Sequence, residues 1–246
     1  MGQSLVVKEK NPSTIDCLTS ILDFDRILNP VPFSLIISDL NPSEFDFTET
    51  ECDWHTVDNF TFGKDRGNTP MIADLDALHP YFRDKIVELI NRCHKKGIEL
   101  TVVESYRTRA KQAEYYSMGK KYTRSSGGKS KHQYGLAVDL VPIVNGQPQW
   151  DNKALWRKIG VVGESLGLRW GGRWRSIYDP AHFEWTGGLS GYHLANGILP
   201  TVPAKNYPCI EEDIEQLKKN WAKLDEEQST IMQASKNSVL ETSGAN

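Results

Sequence analysis

The stretch Ser130-Lys131-His132-Gln133-Tyr134-Gly135-Leu136-Ala137-Val138-Asp139-Leu140-Val141 sets an imidazole and a carboxylate seven positions apart at the entry to an apolar run. Leu136 to Val141 reads as a buried strand. Side chains on a strand alternate with period two, so residues seven apart would face opposite sides of one regular strand. His132 must therefore come from the preceding loop or a bend, and Gly135 is where the backbone could turn. Asp139 lies among Leu136, Val138, Leu140 and Val141, where a buried carboxylate is costly without a cation or strong hydrogen bonds. A metal resolves that cost, and both residue types are good zinc ligands.

A third ligand stands further on, in Asp179-Pro180-Ala181-His182-Phe183-Glu184-Trp185, where a histidine enters a strand just after a proline turn. Two histidines and one carboxylate leave a fourth tetrahedral position open, which distinguishes a catalytic zinc site from a closed structural one. A nearby carboxylate could then take a proton from the water that attacks a carbonyl. Asp179 and Glu184 are both candidates. Glu184 shares a strand face with His182 and could point at the metal, whereas Asp179 lies on the turn above it, and spacing alone leaves the choice open.

Outward from this centre, His79 to Lys96 carries Ile86, Leu89, Ile90 and Cys93 at helical spacing and ends in Lys95, Lys96 and Gly97, a basic last turn with a glycine stop. Ile98 to Val103 reads as a short buried strand, with Arg107 at its exit, and Thr108 to Met118 as a second helix. Tyr122 to Lys131 is a loop rich in Gly, Ser and Lys. Asn145-Gly146 marks a turn, Leu155 to Leu166 a helix, and Trp170-Gly171-Gly172 a tight turn before the strand at His182 to Trp185. Helices and strands interleave, but the connections are too short for a repeated βαβ series. The fold class is therefore α+β.

The ends are of different texture. Residues 1 to about 70 alternate short apolar runs such as PFSLIISDL with Asn, Pro, Asp and Thr clusters and hold no catalytic constellation. Beyond about Tyr207 the chain is highly charged, with Ile210, Ile214, Leu217, Trp221, Leu224 and Ile231 spaced by fours and threes. That makes an amphipathic helix, which either docks on its own domain or forms a short coiled coil with a partner or a second copy. The domain plan is thus an N-terminal accessory region at 1–72, a catalytic domain at 73–200, and a charged helix and tail at 201–246.

With 246 residues, 39% hydrophobic and 25% charged, the chain suits one packed domain with appendages. A net charge of -3 gives no overall pull toward nucleic acid, and the local basic stretch Arg107 to Lys131 reads as a solvated rim. Cys17, Cys52, Cys93 and Cys209 are far apart and form no CxxC pair, so reduced thiols are expected. The N-terminus carries no signal-peptide pattern, Val6 stands where an acylation signal needs Ser or Thr, and no apolar stretch approaches the roughly 20 residues of a membrane span. The expectation is synthesis in a cytoplasm and release by another agent.

The ordered set SxHxxGxAxD followed by DxxH resembles the peptidases of family M15, which include D-Ala-D-Ala peptidases and phage L-alanyl-D-glutamate endopeptidases. The resemblance covers about residues 73 to 186. Within it SYRT at Ser105 to Thr108, GLAVDLVPIVNG, LWRKIGVVGESLGL and the WGG turn look like the endopeptidase branch that cuts peptidoglycan stem peptides. It implies a hedgehog- and DD-peptidase-like fold, with a small, mostly antiparallel central sheet, flanking helices and one zinc ion at the sheet face. It implies further that His132, Asp139 and His182 bind the zinc, that Asp179 is the general base, and that Arg107 stabilises the developing oxyanion. Ser130, Gln112 and Trp174 are the implied or suggested substrate contacts. His55, His79, His94 and His193 lack such company and are left as structural. One departure stands out: the family commonly has proline directly before the last histidine, whereas here Ala181 intervenes.

The activity implied is zinc-dependent hydrolysis of the L-Ala–D-Glu bond of bacterial peptidoglycan, as in endolysins and other bacteriolytic enzymes. Two alternatives use the same residues. One is a D-Ala-D-Ala carboxypeptidase or dipeptidase; the other is a zinc-bearing cell-wall binding module without catalysis, as in hedgehog-like relatives. Retention of Asp179 and Arg107 argues against the second, because a zinc clip needs neither. Delivery through a membrane pore, on a phage tail or by a secretion system would fit a chain without an export signal.

Overall fold

The computed structural model describes residues 54–123 and 125–243. Expectations that fall on residues 1–53, including the strands around PFSLIISDL and the state of Cys17 and Cys52, lie outside the described residues. In chain order the elements are β1 (Thr56–Val57), β2 (Met71–Ile72), α1 (Pro80–His94), β3 (Glu99–Glu104) and α2 (Arg109–Ser117). They continue with β4 (Ala137–Val144), β5 (Gln147–Pro148), α3 (Lys153–Ser165), β6 (Arg169–Trp170), β7 (His182–Glu184), α4 (Gly191–Ala195) and α5 (Ile210–Ser243). Short 3-10 turns stand at Leu75–Ala77, Lys131–Tyr134 and Gly171–Arg173.

The helices form where the apolar spacing predicts them. Phe82, Ile86, Leu89 and Cys93 are the buried stripe of α1, which opens with proline in its first turn. α2 begins on Thr108, whose side-chain oxygen accepts from the Lys111 N–H, and α3 begins on Asn152 in the same way. Asn145 and Gly146 both have positive φ, as the two-residue hairpin between β4 and β5 requires.

Among the described residues the main sheet has five strands, in the order β3-β4-β7-β6 with β5 on β4, and every pairing is antiparallel. This is the α+β architecture expected from the sequence. Val138, Leu140 and Phe183 pack with Phe82, Ile86, Leu89, Trp156 and Ile159 in one apolar core, so α1 and α3 cover one side of the sheet.

A second, smaller core joins Trp54, Ile72, Ala77 and Tyr106 to Leu217 and Trp221 of α5. Of the two readings of the C-terminal helix, the docked one describes this stretch: Leu217, Trp221 and Gln228 are buried, whereas Ile231 is 63% exposed. The described residues belong to one compact unit, which takes in residues 54–72 at the end of the accessory region as well as this helix.

Candidate metal centre and catalytic cleft

Strand register assembles the site. Asp139 of β4 is directly opposite His182 of β7 on one side and Glu104 of β3 on the other, which sets three functional side chains in one row across the sheet. The row follows a register shift between Val102 and Glu104. His132 arrives from the 3-10 turn Lys131–Tyr134, the bend that the seven-residue spacing demanded. Gly135 closes that turn in the left-handed region at φ 60°, where a β-carbon would also collide with the Trp221 ring and the main chain at Ala77 and His79.

The ligand atoms form a triangle. His132 Nε2 and Asp139 Oδ1 each lie 3.2 Å from His182 Nδ1, and 3.5 Å from one another. Tetrahedral zinc with bonds of about 2.0–2.1 Å needs ligand atoms about 3.3 Å apart, so the three buried residues fit one zinc ion. Each ligand is held from behind. The Ser105 carbonyl accepts from His132 Nδ1 at 3.1 Å, which fixes the tautomer with Nε2 free for metal. His182 Nε2 lies 3.2 Å from Glu184 Oε2, which leaves Nδ1 toward the metal, and Arg66 Nη1 donates to Asp139 Oδ2 at 3.3 Å. Burial alone would raise the Asp139 pKa, but His132 and His182 hold its carboxyl well below the usual range.

A cleft of about 610 Å³ opens over the triangle, lined by Arg107, Ser130, Trp174 and Asp179 among others. Trp174 stands beside His182 with ring centroids 5.0 Å apart. Arg107 is 7% exposed, with Nε donating to Glu104 Oε1 at 2.8 Å, Nη2 to Glu104 Oε2 at 2.5 Å, and Nη1 to Gln112 Oε1 at 3.2 Å. Two of its five N–H groups, by the guanidinium inventory, stay unused by these bonds.

The two carboxylates that spacing could not separate have different surroundings. Glu184 meets His182, Lys131 and Arg169 together; burial would raise its pKa, but these cations bring it down to about 2. Asp179 has no side-chain hydrogen bond or ion pair among the described residues, and burial, followed by the negative charge of Asp139, raises its pKa. The intervening Ala181 leaves the turn tight, with the His182 N–H donating to the Asp179 carbonyl at 3.3 Å, and both side chains line the same cleft.

Of the suggested substrate contacts, Ser130 and Trp174 line the cleft. Gln112 is fully buried; its oxygen takes the Arg107 bond, and its Nε2 donates to the Ser125 carbonyl at 2.6 Å. That geometry makes it a holder of the arginine and the loop rather than a substrate contact. The other histidines stand apart from the metal centre: His79 is buried under Trp185, and His193 caps α4.

Sequence reasoning did not find Glu104, Arg66 or Lys111. Glu104 carried a weak signal, being an acid at the end of an apolar strand three residues before Arg107. Arg66 carried none, since residues 54–72 show no helical or strand period. Its segment is fixed by the buried Lys111, whose Nζ donates to Asn59 Oδ1 at 2.7 Å, the Thr69 carbonyl at 2.6 Å and the Arg66 carbonyl.

A family model described as D-alanyl-D-alanine carboxypeptidase matches residues 123–185, the segment that holds all three candidate ligands and Asp179. The chain is similar to the peptidoglycan L-alanyl-D-glutamate endopeptidase CwlK of Bacillus subtilis (strain 168), 28% identical over 152 residues, 56% of this chain and 86% of that protein. It is also similar to the L-alanyl-D-glutamate peptidase of Escherichia phage T5, 32% identical over 103 residues, 35% of this chain and 74% of the relative. Among solved structures, the L-Ala D-Glu endopeptidase ChiX of Serratia marcescens aligns at 28% identity over 46% of this chain and 83% of its own, with a TM-score of 0.38.

Proposed function

This chain belongs to peptidase family M15, and from that premise we propose that it is a zinc endopeptidase hydrolysing the L-alanyl–D-glutamate bond of peptidoglycan stem peptides. His132, Asp139 and His182 hold the zinc, which when bound supplies a Lewis acid able to act on water and carbonyl oxygen near neutral pH. The observation that carries the reading is the pairing of that three-residue triangle with Asp179, a carboxyl without a side-chain hydrogen bond among the described residues, in the same cleft.

Asp179 takes the proton of the attacking water and returns it to the leaving amine. Arg107, steered by Glu104 and Gln112, donates to the oxygen on which negative charge develops. Glu184 fixes the imidazole of His182 and is not the base, because its oxygens are occupied by cations. Ser130, whose hydroxyl has no hydrogen-bond partner among the described residues, is placed to bind the substrate main chain, and Trp174 to pack against it. No covalent intermediate with the protein is involved.

Peptidoglycan is the partner this activity requires, and the place of action is the cell wall. Among the described residues no helix is long and apolar enough to cross a membrane. Delivery by a pore, a phage tail or a secretion system belongs to the same proposal, as does any self-association through the part of α5 beyond Gln228.

Digestion of purified sacculi with mass analysis of the new termini tests the reading. Free L-Ala carboxyl and D-Glu amino termini, lost on zinc chelation, are expected. Release of D-Ala would point instead to the carboxypeptidase alternative, and zinc binding without any product to a binding module.

A further inference from the structure

The segment that carries Arg107 is clasped on both sides by the C-terminal helix. One carboxylate, Asp225, accepts from the Arg109 N–H through Oδ1 at 2.7 Å and from the Tyr106 hydroxyl through Oδ2 at 3.3 Å, so it spans the arginine from either side. The Thr108 hydroxyl donates to Gln228 Oε1 at 2.6 Å, while Gln228 Nε2 donates to the Pro70 carbonyl at 3.3 Å. One turn earlier, the Trp221 ring stacks on Tyr106 at 5.2 Å with the planes 2° apart, and its Nε1 donates to the Ala77 carbonyl at 3.0 Å.

The clasp reaches the metal turn too. Trp221 lies where a β-carbon on Gly135 would stand, and Gly135 closes the turn that holds His132. The Arg107 N–H donates to the His132 carbonyl at 3.2 Å, so the two catalytic segments are joined to each other as well as to α5. Asp225, Gln228 and Trp221 all lie beyond residues 123–185, the stretch that the family model covers.

We propose that Asp225 and Gln228 of α5 are positioning residues of this peptidase: by anchoring the side-chain hydroxyls of Tyr106 and Thr108 and the main-chain N–H of Arg109 they hold the Arg107 guanidinium in register with the metal centre. The proposal rests on the oxyanion role given to Arg107. A helix that merely covered apolar surface would need Leu217 and Trp221 but not a buried glutamine and a carboxylate bonded to the residues on either side of one arginine. Displacement of a catalytic group by about 1 Å is enough to cost up to about a hundredfold in rate.

A double-mutant cycle on the zinc-loaded full chain tests this. Asp225→Ala and Gln228→Ala are expected to lower kcat about tenfold or more while KM and zinc stoichiometry stay near the wild-type values. In an Arg107→Ala background, the same substitutions are expected to cause no further loss, because they act through that arginine. An equal fold-loss in both backgrounds, or unchanged kcat in both single variants, overturns the proposal while leaving Arg107 as a catalytic group. Full activity of Arg107→Ala alone overturns the role of the arginine and the proposal with it. Gln228→Ala lies at a different contact and keeps the cycle readable if Asp225→Ala does not fold. The Nε–H resonance of Arg107 gives a reading independent of turnover, and it is expected to shift in both variants with the zinc ligands still saturated.

Discussion

A β-carbon on Gly171 would run into the main-chain oxygen of Asp179, and the Asp179 N–H in turn donates to the Gly171 carbonyl at 3.3 Å. The glycine of the WGG turn is therefore the seat of the proposed base. Gly171→Ala is expected to push the Asp179 turn away from the cleft and lower kcat about tenfold or more. Zinc affinity should fall far less than in His182→Ala, which removes a ligand outright. Steady-state kinetics with metal titration of both variants gives the comparison.

The contrast between Asp179 and Glu184 predicts opposite signatures on substitution. Asp179→Asn is expected to keep the fold and the zinc but lose activity by about 10²–10⁴-fold, the usual contribution of a positioned proton acceptor. Glu184→Gln should instead weaken zinc binding about 10–100-fold, as loss of a partner behind a metal-bound histidine does, with activity recovering at high zinc. The reverse pattern would exchange the two roles.

Removing the zinc should lower thermal stability as well as abolish turnover. The ligand triangle belongs to the folded state alone, so free zinc at about 1,000 times its dissociation constant stabilises the fold by about 4 kcal/mol. Melting curves across a zinc titration, starting from chelator-treated protein, should rise in step with recovered activity.

Lys111 is 1% exposed and is met by Asn59, Arg66, Thr69 and Glu114. Lys111→Met would leave several buried acceptors unsatisfied, a loss expected to cost about 3–5 kcal/mol of stability. Because the same segment brings Arg66 to Asp139, zinc affinity should decline too. Urea denaturation of the zinc-free and zinc-loaded variant separates the two effects.

His79 is fully buried with neither ring nitrogen hydrogen-bonded among the described residues, and burial lowers its pKa to about 4. A group whose folded pKa lies below its unfolded value near 6.5 favours the unfolded chain once it can take up a proton. Its destabilising effect is absent above about pH 6.5, grows as pH falls, and levels off below about pH 4, at about 3 kcal/mol. His79→Leu should remove this acid-side loss, so the difference in unfolding free energy between the two proteins should change across that window. A pH-independent difference would contradict the assignment.

Much of the framework was readable from local order. The three-and-four spacing through Ile86, Leu89 and Cys93, the β-branched run before Arg107 and the Asn145-Gly146 pair each encode an element within a few residues, because helix stripes and tight turns are short-range physics. The His132 to Asp139 spacing required a loop or a bend before the strand and left Gly135 as a place where the chain could turn, and Gly135 stands there at φ 60°. Several things were not readable. The role of Glu184 turned on Lys131 and Arg169, and the placement of Arg66 on the buried Lys111; the helix at 210–243 left docking and coiled-coil readings open.

By itself, then, the sequence determined the main elements and offered His132, Asp139 and His182 as candidate metal ligands, since helix stripes, tight turns and residue types are properties of the chain read locally. Only the tertiary structure decided that Glu104, Asp139 and His182 share one cross-strand row, that Glu184 is engaged by cations whereas Asp179 meets none at ion-pair distance among the described residues, and that α5 closes behind Arg107. Strand register and the partners of a buried charge are fixed by residues tens to more than a hundred positions away, and a periodic pattern along the chain carries no information about which of them will meet.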